Sequence, residues 1–291
     1  MKTAIVTDSS SGITQALAKE LGVYVVPMPF YINDETFYED VNLTQEEFYE
    51  KLKSDADVAT SQPIVGELLD FWNKVLEEND EMVYIPLSSG LSMSCSTAIS
   101  MAKEKDYEGK VFVVDNQRVS VTLRESVYDA VKMKNQGKSA SEIQQYLTET
   151  RQDSGIYIMV DTMKYLKKGG RVTPAAAAIG SLLKLRPVLQ IQGDKLDKYA
   201  LARTLNKAKE AMIDAIKADL YGRFYDYTKK GEMVLSFAHT ENFEEIEKFK
   251  EEVCKVFPEI PVHFIDPLPL TISCHIGPGA LAVTATRMIK E

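Results

Sequence analysis

The sequence predicts an α/β protein in two lobes: an N-terminal parallel-sheet α/β lobe over residues 1–155 and a C-terminal α+β lobe with a mixed or antiparallel sheet over residues 156–291. Three observations lead there. The chain has 291 residues, more than one hydrophobic core usually serves, so two lobes are the default. In the first half, short apolar runs alternate with amphipathic segments, the rhythm of a parallel sheet covered on both faces. After Gly155 that rhythm stops, and residues 187–191 and 195–196 flank Gln192-Gly193-Asp194, a hairpin signature that requires antiparallel pairing.

Residues 3–7 read as a strand, followed by Asp8-Ser9-Ser10-Ser11-Gly12 and a helical period through Ala16, Leu17 and Leu21 that Gly22 stops. Residues 23–32 read as one further strand, with Pro27 and Pro29 confining it to an edge or ending it early. Thr44-Gln45-Glu46-Glu47 is a capping box opening a helix through Leu52. Pro63 suits a first helical turn, where its missing N–H is no loss. Ile64, Leu68, Trp72, Val75 and Leu76 follow at helical spacing, so Thr60 and Ser61 are expected at a helix N-terminus. Residues 82–87 form the next strand and 92–105 its helix; 111–115 and 118–135 repeat the pair, and Ser139-Ala140-Ser141-Glu142 caps a helix ending near Thr150.

In the second half, 156–160 is a strand, 161–166 a helical turn, Lys167-Lys168-Gly169-Gly170-Arg171 a basic glycine-broken loop and 174–185 a helix. Residues 204–220 and 243–256 are amphipathic helices flanking the strand 233–238, 262–265 adds a strand, and a closing helix is expected from about Pro278.

Composition bounds the function. Forty-five percent hydrophobic and 26% charged residues are ordinary for a globular protein, and no apolar run approaches the roughly 20 residues a bilayer span needs. The strand pattern at the N-terminus meets Asp8 before a signal-peptide core forms, so a cytoplasmic protein is expected. A net charge of -9 disfavours nucleic acid as the main partner. Cys95, Cys254 and Cys274, few and far apart, suit neither a disulfide framework nor a zinc site; they are expected as buried or half-buried thiols, with no metal and no cofactor.

The residues that could carry chemistry centre on Tyr84-Ile-Pro-Leu-Ser-Ser-Gly-Leu-Ser-Met-Ser94, an apolar strand breaking into hydroxyls before a helix. First-turn N–H groups lack intrahelical partners and carry positive partial charge, so such a turn can hold an anion. Taken with Thr60, Ser61 and His275, the donors Ser88, Ser89 and Ser92 are neutral, which suits a small anionic head group. Read singly, each is an ordinary cap and His275 a structural histidine. Lys167, Lys168, Arg171 and Arg203 read either as solvated cations or as a docking surface for an acidic partner. A serine hydrolase is the alternative: Gly90-Leu91-Ser92-Met93-Ser94 nearly matches the nucleophile elbow, and Asp266 and His275 follow in order. Against it, Ser94 replaces the second glycine and no His-Gly-Gly-Gly oxyanion segment is present.

Val6-Thr7-Asp8-Ser9, Thr60-Ser61-Gln62-Pro63, Ser88-Ser89-Gly90-Leu91-Ser92, Tyr165-Leu-Lys-Lys-Gly-Gly-Arg171, Arg203-Thr204 and His275-Ile-Gly-Pro-Gly279 occur in order along nearly the whole chain. In this set the chain resembles the DegV family of bacterial fatty-acid-binding proteins. The resemblance implies one long-chain fatty acid, its carboxylate at the lobe interface and its acyl chain in an apolar tunnel contributed by the C-terminal lobe. By position, Thr60, Ser61, Ser92 and N–H groups near Met93 would hold the carboxylate, with His275 close by. It further implies a lipid carrier rather than an enzyme, presenting the acid to a separate ATP-dependent fatty acid kinase, with Arg203, Lys168 and Arg171 at positions associated with transfer or docking. Met93 and Ser94 stand where relatives commonly have glycine and threonine, and Thr122 and Arg124 where they have small glycines, so these positions are expected to alter the pocket.

Overall fold

The computed structural model describes residues 1–54, 56–179, 185–193 and 195–290. It divides into two units: Met1–Arg151 with Pro269–Thr271, and Gln152–Leu268 with the segment from Ile272 onward.

In the first unit β1 (Thr3–Asp8) runs through a tight turn at Ser9–Ser11 into α1 (Gln15–Leu21), which Gly22 ends at φ 64°. The stretch 23–32 is two strands, not one. β2 (Tyr24–Val26) lies at the edge of the parallel sheet and β3 (Pro29–Ile32) belongs to a separate antiparallel sheet. The break has a physical cause: Pro27 has no N–H to give, and the Met28 N–H is taken by Ser9 Oγ at 3.1 Å. β3 turns at Asn33 and Asp34 (φ 50° and 70°), residues that tolerate the left-handed region, into β4 (Glu35–Tyr38). Next come α2 (Gln45–Lys53), opened by the Thr44–Glu47 capping box, and β5 (Val58–Thr60), which pairs with β3.

α3 (Val65–Glu78), β6 (Glu81–Ile85), α4 (Ser94–Met101), β7 (Val111–Val113), α5 (Val121–Asn135) and α6 (Ala140–Glu149) complete the unit. The parallel sheet has the order β2-β1-β6-β7. α5 and α6 pack on β1 and β6, while α3 packs on β2 and β6. Trp72 of α3 meets Tyr84 of β6 edge-on at 5.8 Å in a core that also holds Val6, Met82 and Cys95. α5 starts three residues later than the spacing suggests, because Gln117 and Ser120 take φ values of 56° and 53° that a helix cannot contain.

The second unit holds β8 (Ser154–Met159), α7 (Lys164–Gly169), α8 (Pro174–Ala177), β9 (Arg186–Ile191), β10 (Asp197–Ala202), α9 (Leu205–Tyr221), α10 (Tyr225–Lys229), β11 (Met233–His239), α11 (Phe243–Val256), β12 (Val262–Pro267), α12 (Leu270–Ile276) and β13 (Leu281–Arg287). The first residues of α12 fall with the first unit. The expected helix over 174–185 is helical at Pro174–Ala177; residues 180–184, and Asp194 of the hairpin signature, lie outside the described residues. β9 and β10 form the expected antiparallel pair.

The six-stranded sheet has the order β10-β9-β8-β13-β11-β12, antiparallel except for β11 and β12. The C-terminal stretch is therefore a strand and not the expected helix. Leu281, Ala282, Val283, Thr284 and Ala285 are all buried, since β13 lies between β8 and β11 and is covered on both faces. α9 and α11 cover one face, closing a core of Met159, Val188, Met212, Leu235, Phe237, Phe249 and Val283. The opposite face carries Ile156, Ile158, Leu189, Ala238 and Ala282, also buried.

Candidate functional site: a hydroxyl turn and a glycine-backed histidine

In the first unit the turn after β6 is held from behind by two carboxylates. Asp8, at the end of β1, is fully buried and accepts the Leu87 N–H at 2.8 Å and the Ser10 N–H at 2.9 Å. Burial raises its pKa from 3.8 to about 6, against the lowering effect of those two bonds. Asp115, just after β7, accepts both the Ser89 N–H (3.2 Å) and the Ser89 hydroxyl (2.5 Å). Ser88 is buried, its N–H donating to the Arg118 carbonyl and its Oγ accepting from Gly90 N. The chain then curls, with the Leu91 and Ser92 N–H groups both reaching the Ser88 carbonyl.

Ser92 Oγ accepts the Ser94 N–H at 3.2 Å, while Met93, at the N-cap position of α4, contributes no side-chain cap. A hydroxyl that already accepts retains its proton to give, so Ser92 is a polarised donor at the start of a helix. Met93 is 68% exposed.

Thr60 and Ser61 are placed differently from expectation. Thr60 is the last residue of β5, paired with Phe30, and the Ser61 N–H donates to the Pro29 carbonyl at 3.3 Å. α3 begins only at Val65, so these two hydroxyls leave a sheet edge rather than open a helix. The Thr97 hydroxyl of α4 donates to Gln62 Oε1 at 3.1 Å, which ties the Thr60-Ser61-Gln62-Pro63 segment to the helix that follows Ser92. Of the departures on α5, Thr122 is buried and its hydroxyl donates to the Val119 carbonyl at 2.8 Å, whereas the Arg124 guanidinium lies 5.7 Å from the Tyr128 ring centroid.

In the second unit Lys167 and Lys168 form the last turn of α7 and not a loop; the break comes at Gly170, φ 70°. Arg171 follows, its Nη1 donating to the Gly169 carbonyl at 2.5 Å. His275 is on the last turn of α12, half-buried against this segment. Burial, and then the Arg171 charge, lower its pKa to about 4, so the ring is neutral imidazole at ordinary pH. Arg203 is exposed and sits between β10 and the Thr204 cap of α9. The Leu196 N–H bonds to the Arg171 carbonyl, at the end of β10 away from Arg203. The strand thus separates the backbones of the two arginines by about 20 Å.

Asp266 lies on β12 beside Ala238, and its charge acts on His239 while Arg171 acts on His275. Cys95 and Cys274 are buried and Cys254 half-buried, and none of the three is in a disulfide. Among the described residues no cluster of His, Cys, Asp and Glu is arranged to hold a metal, and no helix is long and apolar enough to cross a membrane.

The sequence reading missed Asp8 and Asp115 as the residues that shape the turn. The available signal was an acid at the end of each of two buried parallel strands, where an unpaired carboxylate is costly and must find N–H partners.

A four-stranded parallel sheet with a hydroxyl turn at its carboxyl end, followed by a mixed six-stranded sheet, defines a two-unit α/β protein with an anion-competent loop. Over residues 2–287 the chain matches the family model described as uncharacterised protein, DegV family, and it belongs to that family. A DegV domain-containing protein of Staphylococcus aureus strain N315 is 28% identical over 286 residues, covering 98% of this chain and 99% of its own. Protein DegV of Bacillus subtilis strain 168 is 28% identical over 288 residues, covering 97% and 98%. Among solved structures, one described as the fatty acid binding of a DegV family protein from Thermus thermophilus superposes with TM-score 0.87 at 28% identity, covering 99% and 100%. DegV from Bacillus subtilis, described as a fatty acid binding protein, does so with TM-score 0.84 at 27% identity, covering 99% of each chain.

Proposed function

We propose that the chain binds one long-chain fatty acid and acts as a carrier, with no metal or cofactor. Its carboxylate is taken by the Ser92 and Thr60 hydroxyls, Ser61 and the N–H groups around Met93; His275, in the second unit, is a neutral donor of the same kind. The observation that carries this reading is the polarised Ser92 turn, in a chain whose solved relatives at 27% and 28% identity are described as binding fatty acids. Each buried methylene is worth about 0.8 kcal/mol, so a chain of roughly 16 carbons supplies several kcal/mol after ordering costs. Within the second unit, Ile156, Ile158, Leu189 and Ala282 form a buried apolar sheet face on the side away from α9 and α11.

The carrier reading extends to presentation: the bound acid is offered to a separate ATP-dependent fatty acid kinase, with Arg203, Lys168 and Arg171 at the transfer or docking surface. The roughly 20 Å of β10 between the backbones of Arg171 and Arg203 favours dividing those roles rather than one cationic cluster. Nucleophilic catalysis by Ser92 is the weaker reading. An elbow serine sits on a sharply strained turn, and Ser92 is not among the non-glycine residues with positive φ. Its hydroxyl caps Ser94 N, and the Asp266 charge acts on His239.

Protein purified from a bacterial host should yield a long-chain fatty acid near one per chain on solvent extraction and mass spectrometry. Lipid-free protein that also fails to take up palmitate on titration would remove the reading.

A further inference from the structure

Gly169 closes α7, and its own backbone does not call for glycine. Gly170, Gly277 and Gly279 have φ of 70°, 78° and 86°, a region that favours glycine, whereas Gly169 is helical. A glycine in a helix costs about 1 kcal/mol relative to alanine, so some other requirement keeps a side chain out. That requirement is His275. A Cβ on residue 169 would overlap the imidazole at Nδ1 and stand 2.9 Å from Cε1.

Two further contacts of this kind lie alongside. Gly277 faces the ring of Tyr165 and Gly279 the carboxylate of Asp161, where an added Cβ would come within 2.5 Å of Oδ2. Tyr165 and Gly169 are four residues apart and share a face of α7, and Asp161 lies in the bend that leads into that helix. The end of α12 and the turn after it are therefore seated against α7 and the bend that leads into it.

We propose that Gly169 is a positioning residue for His275: its bare backbone lets the imidazole seat against the end of α7, which fixes where the ring's N–H can point. The charges around the ring agree with that seating. Arg171, bonded to the Gly169 carbonyl, lies beside the imidazole, Lys167 and Lys168 share the same last turn, and burial with Arg171 lowers the ring's pKa to about 4. So seated, His275 offers a neutral donor and not a cation. Its use toward a carboxylate rests on the fatty-acid reading; the seating itself does not.

Proton NMR titration of the three histidines, assigned with His239→Gln and His263→Gln, tests this directly. In the unsubstituted protein His275 should titrate near pH 4. In Gly169→Ala the displaced ring should titrate at least one pH unit higher, toward the ordinary 6.5, with His239 and His263 unmoved. Gly169→Ala should also lower the thermal midpoint where His275 is present, yet leave it unchanged or raise it in a His275→Ala background, where the methyl group has room. If the single variant does not fold, the double variant still should. An unchanged His275 titration, or an equal loss of midpoint in both backgrounds, would overturn the proposal. Palmitate binding by the unsubstituted protein is measured separately: its failure counts against the fatty-acid reading, and the titration and midpoints still decide Gly169.

Discussion

Replacing Asp8 by Asn should change how the stability of the protein depends on pH, and the structure sets the size of the change. Asp8 is fully buried behind the Ser88–Ser92 turn, and burial raises its pKa from 3.8 to about 6. The folded chain therefore holds this proton more tightly than the unfolded chain. The stability linked to it is fully present below pH 3.8 and is lost as pH rises through about 6. At about 1.4 kcal/mol per pH unit, the gap between those values corresponds to about 3 kcal/mol. Asparagine cannot titrate. It still offers one oxygen to either Leu87 N or Ser10 N and sets an amide against the other, an offset that does not vary with pH. Urea unfolding of both proteins from pH 3.5 to 7.5 isolates the effect, because other titrating groups cancel in the difference. Across that window the variant should gain up to about 3 kcal/mol relative to the parent, most of it between pH 4 and 6. A difference that stays flat, or falls as pH rises, would refute the reasoning that Asp8 is a buried, partner-limited carboxylate.

Ser92→Ala should weaken palmitate binding by roughly ten- to a hundredfold in a calorimetric titration, since a hydrogen bond to a charged group is worth about 1.5–3 kcal/mol; rapid labelling of Ser92 by a fluorophosphonate would instead favour the hydrolase. Arg203→Ala should leave palmitate affinity nearly intact and slow acyl phosphate formation with an ATP-dependent fatty acid kinase by about tenfold or more, and unchanged turnover would remove Arg203 from transfer and docking. Ser120→Gly should raise stability by about 1 kcal/mol, because Ser120 holds φ 53° and ψ -133° ahead of α5. A lower urea midpoint for that variant would show that the Ser120 side chain supplies more than the strain costs.

Much of the fold was legible because local rules and tertiary packing agree. The Thr44 and Ser139 capping boxes open helices where expected, and α11 spans Phe243–Val256 as its period suggests. The errors fall where a long-range partner decides. Residues 281–287 fit a helix or a buried strand equally well, and only the pairing of β13 with both β8 and β11 selects the strand. The basic glycine stretch looked like a loop because Gly169 lowers helix propensity; the close approach of His275 supplies the reason for that glycine, and it is absent from the local sequence. The position of Ser92 at a strand-to-helix turn was legible. The setting of Thr60 was not, because the short strand β5 is too brief to carry a period and is fixed by its pairing with β3.

The charge arrangement around the turn bears on how affinity is divided between head group and chain. The N–H groups of Ser88, Ser89 and Ser92 and the Ser89 hydroxyl are taken up by Arg118, Asp115 and Ser88, which leaves the Ser92 hydroxyl as the donor argued for an anion, while the groups that hold this turn in shape, Asp8 and Asp115, are acids. Above pH 6 an anion on the turn gains hydrogen bonds yet meets repulsion from two carboxylates behind them, so it is oriented more than it is attracted. The net charge of -9 adds to that background. Binding of a carboxylate at such a turn must then draw most of its free energy from apolar burial of whatever the carboxylate is attached to, which favours a long acyl chain over a short-chain acid with the same head group.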